Sequence, residues 1–371
     1  MATRVEAIRG KRDLRTFLHL PWRIYRDDPL WVPPLIREIT PFFTGKHPFC
    51  LHATVEPFLA YRNGEPVGRI AAIVDQAYLS YYGEEVGYFG FFEAPDDQEV
   101  ATALIERAKE ALRGKGMRRM IGPMNPSTNY ECGLLVEGFT TPPYIMMPHN
   151  PPYYGALLEG TGLRKAKDLY ANMIIGDGTI PERLKRIVMK VRERTPALRV
   201  RPVNVRDFKG EIQRVLTIYH EAWGRNWGFV PMSKEEISFM AKKLKPLIVP
   251  DFALFAEVGG EAVGFVLALP NYNLVLKRLN GRIGPIGILK FLYYARRIDE
   301  LRVLLLGVRP AYQRRGIETL LYFEVFERGY RRGYRRGEMS WILEDNHLMQ
   351  KGIEALGGRR YKTYRIYTTE L

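Results

Sequence analysis

The chain has 371 residues, and its 56 lysines and arginines outnumber 41 aspartates and glutamates to leave a net charge of +15. That length can bury two ordinary cores, and the charge favours anionic partners such as coenzymes, nucleic acids or lipid head groups without choosing among them. Two cysteines, Cys50 and Cys132, exclude a disulfide framework and a paired zinc spacing. With no basic stretch leading into an apolar leader and no long uncharged apolar run, the expected location is the cytoplasm, without a transmembrane segment.

In chain order, His47, Cys50 and His52 come first, but no fourth ligand lies nearby and Pro48 constrains the segment, so packed rings rather than a metal are expected. Phe58 to Val74 reads as strand, Gly-Glu turn, strand, and Leu254 to Pro270 repeats that pattern 196 positions later. The same offset carries Asn150 onto Asn346 and Gly162 onto Gly358, read as asparagine-led helices closing at glycine. Tyr25 with Trp31-Val32-Pro33 matches Trp223 with Phe229-Val230-Pro231 at 198, and Arg12-Asp13-Leu14 matches Arg206-Asp207-Phe208 at 194. Collinear matches at nearly one offset indicate a duplicated unit. Residues 1–178 form the first copy and 197–371 the second. Asp177-Gly178 ends the first, and Pro181 opens a basic linker helix through about Arg194, within 179–196. Each copy should be a mixed α/β layer with helices on both faces.

The second copy has an extra piece, Asn271 to Glu300, expected to be a lid or packing. Its Ile283 to Arg297 part is apolar and basic together, which suits a core-covering helix, a long acyl chain or an anionic membrane surface. From Leu301 an apolar run ends at Arg309-Pro310 and restarts as a helix after Gln313-Arg314-Arg315-Gly316. A strand, a basic glycine turn and a helix start together make a seat for a phosphate or pyrophosphate. At the matching place the first copy has Phe91 to Gln98, with acids instead of arginines and no glycine, so it should not bind one.

Strand, Gln313-Arg314-Arg315-Gly316-Ile317-Glu318, helix, the strand Glu338 to Leu343 and an Asn346-led helix ending at Gly357-Gly358 resemble the GNAT superfamily of acyl-CoA-dependent N-acyltransferases. The likeness covers about Val200 to Leu371, and the repeat extends it to two tandem GNAT-like domains, each a mixed, mostly antiparallel sheet. It implies acetyl-CoA or another acyl-CoA as co-substrate, no metal, and an amine acceptor. Leu306, Gly307 and Val308 would bond the pantetheine arm, with Gln313 to Glu318 and Asn346 at the coenzyme. Two positions depart from the family pattern. Glu318 replaces a small residue, which sets a carboxylate in the first helical turn, and Ile353 stands where many members carry a tyrosine acid. Tyr361 or Tyr364 could replace that acid, although both sit in a closing strand. Asn346, Glu344 and Tyr364 are the catalytic candidates.

For the acceptor, the loop Gly122 to Gly133 offers Asn125, Ser127, Asn129 and Glu131, and the aromatic stretch near Glu221 offers Trp223 and Trp227. The same loop could equally be a self-satisfied turn network. The expected activity is transfer of an acetyl or longer acyl group to a primary amine by direct attack. The rival readings are a non-catalytic scaffold, on Glu318 and Ile353, and a nucleic-acid or anionic-surface binder using the arginine and tyrosine stretch Gly329 to Gly337. Nucleic acid is not the expected partner, and the oligomeric state is left open.

Overall fold

The computed structural model describes residues 3–176 and 182–371, so the proposed break at Asp177-Gly178 and Pro181 lies outside the described residues. The first half runs β1 (Arg4–Ala7), α1 (Lys11–His19), α2 (Pro21–Ile24), α3 (Ile36–Phe43), β2 (Ala53–Arg62), β3 (Glu65–Asp75), α4 (Gln76–Tyr82), β4 (Val86–Glu93) and α5 (Gln98–Arg113). It continues through β5 (Arg119–Gly122), short β6 (Met124–Asn125), β7 (Glu131–Cys132) and β8 (Leu134–Glu137), α6 (Tyr154–Gly160) and β9 (Arg164–Ile175). In the second half α7 (Glu182–Arg194) leads to β10 (Leu198–Pro202), α8 (Phe208–Trp223), α9 (Lys234–Leu244), β11 (Ala253–Val258) and β12 (Glu261–Pro270). Then come α10 (Asn273–Leu279), α11 (Pro285–Ala295), β13 (Glu300–Val308), α12 (Ile317–Arg331), β14 (Arg336–Leu343), α13 (His347–Ala355) and β15 (Arg359–Glu370).

The repeat is visible in the hairpins. Both turn through two residues at positive φ, Asn63 and Gly64 in one and Gly259 and Gly260 in the other, the geometry that matches strand twist in a two-residue turn. Strand alternation then divides each sheet between two cores. Leu59, Ala71 and Ile73 face Phe17 of α1 and Tyr78 of α4, whereas Phe58, Ala60, Ile70 and Ala72 face Leu104, Ile105 and Ala108 of α5. In the second half α12 buries Ile317, Leu321 and Val325 on one face of the sheet, and α8 buries Ile218 on the other.

The two sheets merge into one of thirteen strands, ordered β1-β2-β3-β4-β5-β15-β9-β14-β13-β12-β11-β10 with β8 beside β15. The last strand of each half has crossed to the other: β9 pairs with β14, β15 pairs with β5, and β9 and β15 pair with each other. Among the described residues only β4 with β5 and β13 with β14 are parallel, and each of those pairs opens after three or four residues into a fork.

Two sequence readings change at this level. Asn150 does not lead α6, which begins at Tyr154; its buried amide instead pairs with both backbone groups of Leu135, at 2.7 and 3.1 Å. Three of the four arginines of Gly329 to Gly337 are ion-paired rather than free. Arg331 and Arg332 pair with Glu327 and Asp251, Arg336 pairs with Glu300, and Tyr334 lies edge-on to Phe252.

Candidate functional site

The two forks differ in what fills them. In the first, β4 leaves β5 after Tyr88, and the chain itself enters the gap. The Met124 carbonyl lies 1.7 Å from where a Cβ on Gly90 would stand, and Asn125 Oδ1 accepts the Phe91 N–H at 2.6 Å. Asn125 is thus the plug of this fork. Asp97 caps α5 by accepting the Val100 N–H at 3.2 Å and pairs with Arg62, so a carboxylate already occupies the helix start where an anion would sit.

In the second fork β13 leaves β14 after Val303, and β13 bulges at Leu304, the one residue skipped in its register with β12. From Leu304 to Val308 the β14-facing edge of β13 has no strand partner among the described residues. Gly307 is required by packing: a Cβ there would stand 2.3 Å from the Trp223 ring of α8. Gln313 Nε2 donates to the Val308 carbonyl at 3.0 Å and fastens the loop to the strand end. Arg314 and Gly316 both have positive φ, at 61° and 82°, so the loop turns left-handed twice before α12 begins at Ile317. Arg314 and Arg315 are exposed there, with Arg315 over the Tyr312 ring. Glu318 is half-buried and without an ion-pair partner among the described residues. Burial raises its pKa, and its charge contributes to raising that of Tyr322 one turn on.

Beside the fork lies an apolar cavity of about 320 Å³, bordered by Leu304, Leu305, Trp341 and Leu343. A larger one of about 840 Å³ runs from Glu131 past Phe91, Ile145 and Met147 to Leu276, Phe291 and Leu292. Tyr130, Met146, Met240 and Leu244 face both.

The loop carrying the acceptor candidates is mostly self-satisfied. Ser127 is fully buried and its Oγ accepts the Asn129 N–H at 3.3 Å. Asn129 ties the two halves together, donating to the Val230 carbonyl at 2.9 Å and accepting the Tyr219 hydroxyl at 2.7 Å. Glu131 is the exception. Glu131 is exposed, its side chain bordering the larger cavity, with no hydrogen-bond or ion-pair partner among the described residues. Burial raises its pKa and the Arg302 guanidinium opposes that rise.

Other candidates are committed elsewhere. Glu344 accepts from Lys165 Nζ at 2.5 Å and from the Asp168 N–H at 3.1 Å, outside the lining of both cavities. Glu221 is exposed and holds Arg309 at 2.8 Å. Trp223 and Trp227 do line the smaller cavity. Asn346 caps α13 by accepting the Met349 N–H at 3.2 Å, and Ile353 is fully buried against Gly358. Tyr364 is fully buried with its hydroxyl unpartnered, and burial together with the Glu338 charge keeps it a protonated phenol. His47, Cys50 and His52 diverge: His47 Nδ1 accepts the Phe49 N–H, Cys50 Sγ lies 3.4 Å from the Phe42 carbonyl, and His52 bridges Asp75 and Glu236.

A buried polar group behind the fork was missed from sequence. Arg302, 2% exposed, donates to the Ile145 carbonyl at 2.6 Å and to Ser340 Oγ at 2.9 Å, and Glu338 accepts from Ser340 and Tyr361. Lys362 donates to the carbonyls of Gly138 and Thr141 at 2.8 and 2.7 Å, its pKa lowered to about 8 by burial. Single charges inside the apolar strands Leu301 to Val308 and Glu338 to Leu343 were the available signal.

Residues 212–357 match the Acetyltransferase (GNAT) family. The chain is 37% identical to Protein YghO of Escherichia coli K12, over 99% of this chain and 95% of that protein. It is also 37% identical to the bacterial ceramide synthase of Caulobacter vibrioides, over 98% and 96%. A tandem GNAT protein from the clavulanic acid biosynthesis pathway shares the fold at a TM-score of 0.57, 13% identity, and 99% and 98% coverage. A GCN5-related N-acetyltransferase from Sphaerobacter thermophilus does so at 0.53, 16% identity, and 99% and 95% coverage. With relatives this similar along nearly its whole length and the family match spanning α8 to the end of α13, the chain belongs to the acetyltransferase (GNAT) family.

Proposed function

We propose that this chain transfers a long acyl group from acyl-CoA to the primary amine of a long-chain acceptor, in the cytoplasm. The observation that carries the reading is the pair of adjoining, mostly apolar cavities, about 840 and 320 Å³, of which the smaller borders the second fork. Each is within or near the ~300–1,000 Å³ of an ordinary ligand pocket, and together they suit two alkyl chains better than an acetyl group and a polar amine. The name of the Caulobacter relative, a ceramide synthase, agrees with a lipid amide product.

In this reading residues 197–371 hold the coenzyme, 179–196 link, and 1–178 are a degenerate copy that shapes the acceptor site. The free edge of β13 from Leu304 to Val308 receives the pantetheine arm, and the Gln313 to Ile317 nest receives the pyrophosphate. Asn346 holds the start of α13 beside them. A backbone N–H at the Leu304 bulge polarises the thioester carbonyl. Glu131 binds the acceptor ammonium and takes its proton. The amine nitrogen then bonds the carbonyl carbon as the C–S bond breaks, and the second proton this nitrogen sheds makes up the one given to the departing thiolate, leaving an amide and a CoA thiol. Tyr364, a protonated phenol, is the candidate for returning a proton to the thiolate.

Thiol release by the purified protein tests this, with palmitoyl-CoA or acetyl-CoA as donor and a long-chain 2-amino alcohol or a short amine as acceptor. Turnover restricted to the long-chain pair is expected. Faster turnover of acetyl-CoA with the short amine would overturn it.

A further inference from the structure

The extra piece of the second half is neither a buried covering helix nor a loose flap. Among the described residues eleven large apolar side chains stand exposed, and five of them lie on α11: Ile286 at 71%, Leu289 at 69%, Leu292 at 57%, Tyr293 at 54% and Ile288 at 52%. One apolar helix face of that size is seldom left to water. Around it, from Asn271 to Ile298, the chain carries Lys277, Arg278, Arg282, Lys290, Arg296 and Arg297 and no acidic residue. All six are exposed, and none enters an ion pair among the described residues. Arg278 and Arg297 lie over the rings of Tyr294 and Tyr293, at 4.2 and 4.4 Å, as cations do at an interface that is apolar on one side and wet on the other.

The platform is fixed. Trp22 Nε1 donates to Asn280 Oδ1 at 2.8 Å, the Ile36 N–H donates to the Gly281 carbonyl at 3.2 Å, and Phe291 stacks on Tyr272 at 5.3 Å. Its position is also specific, because Ile288, Phe291 and Leu292 border the larger cavity while Ile286 and Leu289 do not.

We propose that α11 docks in the head-group region of an anionic lipid bilayer, with Ile286, Leu289 and Tyr293 inserted and the six cations against the lipid phosphates. An exposed apolar face with exposed cations before, within and after it in the chain is complementary to an anionic bilayer, which offers both surfaces. A second copy of this chain would set six cations against six cations, and a nucleic acid would leave the apolar face in water. On the proposed function, the docked helix opens the cavity toward the bilayer, so a long-chain acceptor enters past Ile288 and Leu292 without crossing water.

Flotation with vesicles, without substrate, tests the docking apart from the chemistry. Wild type should float with vesicles of phosphatidylglycerol and phosphatidylcholine, release as salt rises, and float poorly with phosphatidylcholine alone. Ile286→Glu with Leu289→Glu should lower partitioning about tenfold or more, as should the triple change of Lys290, Arg296 and Arg297 to Gln. The Glu double variant should keep its thermal melt and its turnover of detergent-dispersed substrate. Equal flotation of wild type and variants, no flotation of wild type, or a wild-type dimer that the Glu variant splits would each overturn the proposal. Flotation without lipid acylation would instead defeat only the reading of function.

Discussion

At the residue scale, Glu131 and Glu344 separate two kinds of carboxylate that look alike in sequence. Glu344 has its charge spent on Lys165 and the Asp168 N–H, whereas Glu131 faces the larger cavity alone with a pKa raised by burial. Glu131→Gln should therefore lower kcat by about 10²–10⁴ with the fold intact, the span expected for losing a positioned base. Glu344→Gln should change kcat little and cost at most ~1 kcal/mol of stability. Because the raised pKa belongs to a group needed as its anion, wild-type kcat/KM should fall as pH drops through that value, and the Glu131→Gln residual should not share that limb. Steady-state profiles of both variants check this, and matched losses would remove Glu131 from the chemistry. Arg302 is a different case, a buried cation held by Glu338, Ser340 and Ile145. Arg302→Met strands Glu338 and should cost ~3–5 kcal/mol in denaturant titration, with Arg302→Met and Glu338→Leu together recovering much of it.

At the element scale, the same strand-to-helix connection is occupied by its own chain in one half and left open in the other. Asn125→Ala removes the acceptor for the Phe91 N–H and should destabilise by ~1–3 kcal/mol without creating a second coenzyme site, since the Met124 carbonyl still lies against Gly90. Gly316→Val should abolish CoA binding by calorimetry, because φ is 82° there and Val191 of α7 lies 2.5 Å from where a Cβ would stand. Retained CoA affinity in that variant would place the pyrophosphate elsewhere. The element order, the paired hairpins and the basic glycine turn were legible from periodicity, turn residues and the internal repeat, because these depend on near neighbours in sequence. The crossing of β9 and β15, the plug by Asn125 and the Trp223 ring over Gly307 were not, because each depends on which distant strand or side chain arrives beside it. Glu131 was one of several polar loop residues in sequence. Only packing distinguished it, by giving Ser127 and Asn129 partners and leaving Glu131 none among the described residues.

For the whole molecule, the halves are joined by more than the shared sheet, and the join has a pH dependence that can be derived. His52, just before β2, bridges Asp75 at 2.9 Å and Glu236 of α9 at 2.8 Å, and Glu236 also accepts the Tyr130 hydroxyl at 2.8 Å and closes the Ser233 capping box. Hydrogen bonds to Asp75 and Glu236 raise the His52 pKa from 6.5 to about 10. A raised pKa means the folded state binds the proton more tightly, so this stabilisation is complete below the ordinary value of 6.5 and is lost as pH climbs through about 10. Glu236 is held below its ordinary 4.5, mainly by the His52 hydrogen bond against the cost of burial. Its contribution is present above 4.5 and is lost as pH falls through the lowered value. Stability from the bridge should therefore be greatest between about pH 5 and 6.5 and decline on both sides. His52→Gln leaves two carboxylates buried near one another, each 1% exposed at the side chain, and should cost ~3–5 kcal/mol near pH 6.5. The deficit should narrow steadily toward pH 10 as the wild type loses the same proton. Melting curves of wild type and variant across that range decide it. A deficit that does not change with pH would mean His52 acts by packing alone, and the joint between the halves would then rest on the strands and on the contacts of Asn129.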